Sequence, residues 1–443
     1  MGRIARVLGV TGVAIALAGC WAVPGQNAGR TAHNAFESRL TPTTVGELTQ
    51  AWQSDFGFGI PLAASDPVVS SAGVHVVIGG CAAFTFDPAT GEWLPLDSGV
   101  SPLCETGDTA FMQFIRGFSP PYVVDGRLLW SHWGAWDRNA PRPPDYVLFG
   151  GVAHYDLAAG ELLATNGGPG MVLSAVRGDT AVAMSYRVTT VIPEPPLPPF
   201  PIQSIVSETV VGSISDPTAR RTVTVAGGGG ATLGTDAFYA SGSGTLATSP
   251  GDPAVGQAVR AYSVTESRPG CGPSADQECP LWATPVDGTA SRAIIGAELE
   301  GTTVYVGTSV GTVYAFDAAS GAVQWTASVG AEVSASPALA DGVLYVPTAD
   351  GRLVALDATG ATLWSASTGA RLGVQPAVAG GVVYTGSNDG SVDAFPAAGC
   401  EAATCAALWS AETGRRITGA PAVSGGQLYV GTAEGRLVAY ARP

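Results

Sequence analysis

The sequence contains no lysine: its 21 basic residues are all arginine, set against 36 acids, for a formal net charge of −15. That excess of negative charge repels nucleic acid and anionic lipid head groups, so neither is expected as a direct partner. Histidine is scarce, with four in 443 residues (His33, His75, His132 and His154), and none lies near a cysteine. Zinc is therefore not expected, because its usual nitrogen and sulfur donor sets are missing. There is no Gly-x-Ser-x-Gly nucleophile elbow. The glycine run 227–230 is followed by no lysine, which leaves it a connector rather than a phosphate cradle. Charged residues make up only 13% of the chain and hydrophobic ones 46%, which excludes a disordered acidic protein.

What is present is a unit written twice over 303–366. Val304-Tyr305-Val306-Gly307, a turn, Thr312 to Asp317, a turn at Gly321 and Trp325 are followed by a second copy. That copy runs through Leu344-Tyr345-Val346, Leu353 to Asp357, Gly360 and Trp364. The period of about 40 residues belongs to solenoids and propellers. Alternation such as Val-Tyr-Val carries the period of two of β-strands, and Asp341-Gly342 is a tight hairpin turn. Each unit reads as four antiparallel strands.

Proline locates the worn copies. Pro337, Pro376, Pro421 and Pro121 each precede a glycine by the same interval, and Pro67 nearly does. Lacking a ladder N–H, a strand-starting proline belongs on an edge strand, such as the innermost strand of a propeller blade. The markers give units at about 60–98, 101–166, 167–226, 227–288, 289–330, 331–369, 370–414 and 415–443. The last lacks its tryptophan strand, and Leu48 to Trp52 supplies one from the other end of the chain. An all-β, eight-bladed propeller of four-stranded antiparallel blades is expected, closed near Trp52, with seven blades as the alternative. Asn388 to Asp393 mimics the start of a calcium loop, but it stands where every unit has a hairpin and lacks the closing Glu.

The first twenty residues stand outside this pattern. Arg3 and Arg6 precede a short apolar run, Val7 to Ala18, of the kind found in secretory leaders. Leu17-Ala18-Gly19-Cys20 resembles a bacterial lipobox, which implies lipidation at Cys20 and anchoring to the cell membrane on its extracytoplasmic side. Residues 21–43 are then expected to be a flexible tether and 44–443 the propeller. Export places the remaining six cysteines in an oxidising compartment, where 15 pairings are formally open. Cys271 with Cys279 and Cys400 with Cys405 each flank a short insertion before a tryptophan strand. Both are expected as local bridges, leaving Cys81 with Cys104.

The unit resembles the pyrroloquinoline-quinone (PQQ) repeat of β-propeller quinoproteins and their non-enzymatic relatives. Ala315, Asp317, Gly321 and Trp325 carry the resemblance in an A-x-D-x3-G-x3-W arrangement. Ala355, Asp357, Gly360 and Trp364 repeat it one turn residue shorter, and Ala394 with Trp409 and Ala261 with Trp282 keep its ends. The resemblance implies that Trp52, Trp282, Trp325, Trp364 and Trp409 pack between blades as structural residues. Enzymes of this family hold the quinone with calcium, and many use adjacent cysteines. No adjacent pair exists here, and the calcium ligands match no local motif. No cofactor, metal or catalytic residue is therefore expected, with quinone and calcium as the alternative.

The resemblance extends at repeat level to the lipoprotein propeller of outer-membrane barrel assembly. It implies a non-catalytic binding or assembly scaffold at the cell envelope. A PQQ-dependent dehydrogenase and a carbohydrate-binding propeller are the alternatives. Partners are expected to be another envelope protein or a glycan. Trp130, Trp133 and Trp136, clustered around His132, are a candidate binding surface if exposed and interblade filling if buried.

Overall fold

A computed structural model describes residues 32–54, 63–78, 82–94, 120–133, 149–159, 161–169, 171–191, 202–214, 220–223, 231–245, 255–271, 278–296 and 302–443. Eight small sheets account for them. In chain order the blades span 68–94, 122–169, 171–223, 232–285, 294–328, 338–367, 377–412 and 422–441. Blade 6 shows how the sequence makes one. Ala338–Ala340, Val343–Pro347, Arg352–Leu356 and Thr362–Ser367 pair antiparallel in chain order. The first hairpin turns on Asp341 and Gly342, both with positive φ, the turn whose twist matches paired strands.

The ring closes as the repeat predicts. Blade 8 has three strands of its own, Ala422–Ser424, Gln427–Gly431 and Leu437–Ala441. Thr49–Ser54 supplies its fourth, with Trp52 opposite Ala439 and Ser54 opposite Leu437. Eight blades, not seven, complete the circle. Pro67, Pro121, Pro337, Pro376 and Pro421 each stand immediately before a first strand. First strands of neighbouring blades touch one another, so they are the strands that converge on the axis.

Buried aliphatic and aromatic side chains fill every seam. Tyr122 and Leu129 of blade 2 meet Leu173 and Ala183 of blade 3. Val313 of blade 5 meets Val333 and Leu344 of blade 6. One continuous cluster joins blades 6, 7, 8 and 1. Irregular blades 2 and 3, with strands as long as Thr180–Val191, obey the same scheme as the regular ones.

Residues 32–43, the second half of the expected tether at 21–43, pack on the propeller instead of hanging free. His33–Asn34 pairs in parallel with the first strand of blade 7, Ala377–Ala379, making that sheet five-stranded. Asn34 Nδ2 donates to the Val423 carbonyl of blade 8 at 2.9 Å, and Leu40 is wholly buried. Glu37 accepts from the Arg39 and Gly426 amides at 2.6 and 3.0 Å. Residues 32–48 are thus a strap across the inner hairpins of blades 7 and 8. It explains why the hairpin of blade 7 has Gly380 where blade 6 has Asp341. A Cβ at Gly380 would fall on the Leu40 carbonyl oxygen, whereas one at Gly342 meets nothing.

Asp tolerates the left-handed conformation, as Asp341 shows, so Gly380→Asp isolates the collision with the strap. It should cost about 1–3 kcal/mol in urea unfolding and expose residues 32–43 to protease. Equal resistance of the variant and the parent would refute the strap's role.

Candidate functional site

The tryptophan positions build from one contact. Trp282 of blade 4 lies on Gly321 of blade 5, Trp325 on Gly360 of blade 6, and Trp364 on Gly399 of blade 7. Trp52 of blade 8 lies on Gly91 of blade 1; at all four glycines a Cβ would stand within 2.7 Å of the indole. Each indole N–H also donates across the seam: Trp52 to Pro88, Trp282 to Ala318, Trp325 to Ala358 and Trp364 to Ala397, at 2.8–3.3 Å. Trp409 completes the series on the Leu48 carbonyl at 2.9 Å. Tyrosines of the same blades tilt against the other face, as Tyr345 does on Trp364 with centroids 6.0 Å apart.

The aspartate of the repeat is a turn cap. Asp357 Oδ1 accepts from the Thr359 and Ala361 amides at 2.8 and 2.9 Å. Asp87 and Asp156 do the same in blades 1 and 2. The Thr359 hydroxyl first and these amides after it hold the Asp357 carboxyl below the usual range, and the amides do so for Asp87 and Asp156. Asp156 is the motif aspartate of the unit expected at 101–166, and its signal in the sequence is the Tyr155-Asp156-x3-Gly160 run.

Of the three tryptophans proposed as a surface in blade 2, the side chain of Trp130 is described, and it is buried. Trp130 is 3% exposed and packs with Val77, Ala83, Leu128 and Tyr155 in the seam between blades 1 and 2. Strand alternation turns it inward, so it fills the gap between blades. Trp133 ends the strand Arg127–Trp133, while Trp136 lies outside the described residues. Cys20, Cys81 and Cys104 also lie outside them. Cys271 is bonded to Cys279, and Cys400 to Cys405. The first loop is clamped to blade 3 through Glu278, which accepts from Arg221 at 3.0 Å and from Ser267 at 2.6 Å.

His75 is fully buried in blade 1, with Ser70 Oγ 2.7 Å from Nε2 and Thr85 Oγ1 2.8 Å from Nδ1. Desolvation pushes its pKa down to about 3. Serine beside histidine resembles part of a hydrolase triad, but a hydroxyl occupies the position an orienting carboxylate would take, and the ring is closed to solvent. His75 is a core group held neutral. On the face bearing the links between blades, Arg371 pairs with Glu332 and Arg415 with Glu434, both at 2.7 Å, which neutralises two of the arginines that fall on these links. The 388–393 segment is a hairpin, with Asp389 accepting from the Ser391 amide at 3.0 Å.

The residues leading into the first strands are where an axial cofactor would have to be held. Asp66 accepts from the Ala420 amide, Gln375 donates to the Pro337 carbonyl, and Ser336 donates to the Arg292 carbonyl. Their neighbours Ala335, Val374 and Gly419 are small or apolar. Calcium asks for six to eight oxygens, and among the described residues no group of three His, Cys, Asp or Glu is placed to hold a metal ion.

Fold and repeat together define the class: an eight-bladed propeller of PQQ-type repeats, quinoprotein-like in architecture. Within that class, residues 274–443 match the model of the family described as outer membrane protein assembly factor BamB. No curated protein sequence matches the chain. Among solved structures, a quinohemoprotein alcohol dehydrogenase from Comamonas testosteroni has a TM-score of 0.66 at 12% identity, covering 98% of this chain and 82% of that one. A europium-containing methanol dehydrogenase has 0.62 at 12%, covering 96% and 98%. The computationally designed Ika8 protein has 0.58 at 11%, covering 86% and 97%. At such identities the likeness shows the fold alone.

Two outcomes test this reading of the motif. Gly360→Ala and Gly342→Ala share the same φ penalty, but only the first meets an indole. Gly360→Ala should therefore lose about 1–3 kcal/mol more in denaturant unfolding; equal losses would remove the seat. His75 cannot take a proton above about pH 3 in the folded chain, whereas the unfolded chain takes one near pH 6.5. Its contribution is therefore complete above pH 6.5 and falls by about 1.4 kcal/mol per pH unit as pH drops towards 3. His75→Gln should flatten the stability profile between pH 6 and 4.5.

Proposed function

We propose that this chain is an exported, lipid-anchored propeller that acts as a non-catalytic binding or assembly scaffold at the cell envelope. The observation that carries the proposal is the use made of the repeat residues. The motif tryptophans and the glycines beneath them are spent on packing blades together, its aspartates cap turns, and the matched family is named for outer-membrane assembly. Lipidation at Cys20 would tether the ring to the membrane, and the two local disulfides suit an oxidising compartment. Its partner would be another envelope protein or a glycan, reached through surface rather than through a reacting group. The fold supports other uses equally well, including that of the dehydrogenases it superposes on, so fold alone decides nothing here.

The purified chain, mixed with the quinone and calcium, should reduce no dye in the presence of alcohols or sugars. Stoichiometric quinone binding with turnover would overturn the scaffold reading. Cys20→Ala should move the protein from the membrane fraction to the soluble one, and an unchanged distribution would refute the anchor.

A further inference from the structure

The disulfide loop of blade 7 does something to blade 6 that no described segment does for blade 5. Thr404–Cys405 runs parallel to the outer strand of blade 6, Thr362–Ser367, pairing with Ser365 and Ala366. The Ser365 amide donates to the Ala403 carbonyl at 2.9 Å. Under this cover Trp364 is 3% exposed and Ala366 1%. Blade 5 ends in an equivalent strand, Val323–Ser328, with Trp325 opposite Ala315 as Trp364 is opposite Ala355. Thr326 therefore takes the place of Ser365, with its amide directed outward. No described strand pairs with this edge: Trp325 is only half-buried, Thr326 is exposed and Val323 is 46% exposed. The turn of blade 6 that would have to reach back, Asp357 to Ala361, is too short to do so.

We propose that the outer edge of blade 5, Val323–Ser328, is a docking site for an extended, uncharged segment of another polypeptide, added in parallel as a fifth strand. An open edge of six residues with neither charge nor proline lacks the usual devices that blunt strand edges. Main-chain bonds would supply the affinity, and Val323 and Trp325 the apolar contact. The chemistry of the occupant follows from the chain's own solution one blade on. Residues 402–407 are uncharged, and so are residues 318–331 around the open edge. A charge laid there would lose solvent without gaining a partner.

This inference deepens the scaffold reading and rests on it, but its test reads the edge alone. The probe is a synthetic peptide of residues 397–408, closed by its Cys400–Cys405 disulfide, titrated into the purified chain. Binding should slow hydrogen exchange at the Thr326 amide and shift tryptophan emission to the blue. Thr326→Pro, which deletes the outward donor, should weaken binding at least tenfold. Val323→Lys, which leaves the backbone intact and places a charge on the edge, should also weaken it. No protection of Thr326 at saturating peptide, or binding by the two variants as tight as by the parent chain, would overturn the proposal. A failed titration leaves the dye-reduction result untouched, so the two readings fall separately.

Discussion

An indole resting on a glycine of the next blade is the contact on which this ring depends. A propeller has no central core; each sheet buries its faces only against its neighbours, so the seams carry the burial that folding requires. The tryptophan supplies a large flat surface and a donor that reaches the carbonyl beside the neighbouring turn. The glycine removes the one atom that would hold the indole away. Aspartate shapes the turn that presents both the glycine and the carbonyl. The three residues that advertise the repeat are therefore one mechanical joint, complete at the seams of Trp52, Trp282 and Trp325 and lacking only the aspartate at that of Trp364.

The joint also sets what happens at the two ends of the chain. Blade 8 has no outer strand of its own, and Thr49–Ser54 brings Trp52 to the seat on Gly91. The segment before it, 32–48, crosses the inner hairpins of blades 7 and 8, where Gly380 leaves room for its backbone and Gly426 for the Arg39 side chain. Closure is held at the outer edge by a strand and at the inner edge by a strap.

With inner strands sheltered around the axis and seams filled, the outer edges are where the molecule can still form bonds. Blade 6 has its edge covered by the loop that Cys400 and Cys405 close. The neighbouring edge of blade 5 has the same form, with no covering strand among the described residues. A scaffold of this kind would recognise partners through backbone geometry.

Periodic features of the chain were legible without coordinates. Strand alternation, the prolines before first strands, the tryptophan spacing and the closing strand at Trp52 all depend on contacts that recur at fixed intervals. The two loops bridged within ten residues of chain were legible because they are local. Single, non-repeating contacts were not. That residues 32–43 pack as a strap depends on Leu40 and Asn34 meeting groups nearly four hundred residues away, and Gly380 and Gly426 were its only trace. Whether Trp130 faces a partner or a seam turned on which blade stands beside it, and the fifth strand of blade 6 on where a loop of blade 7 lands. Sequence alone determined the repeat and its closure, because repetition writes the same physics many times. Tertiary structure alone decided the strap, the buried tryptophan and the open edge, because each is a contact made once between parts of the chain that no local pattern links.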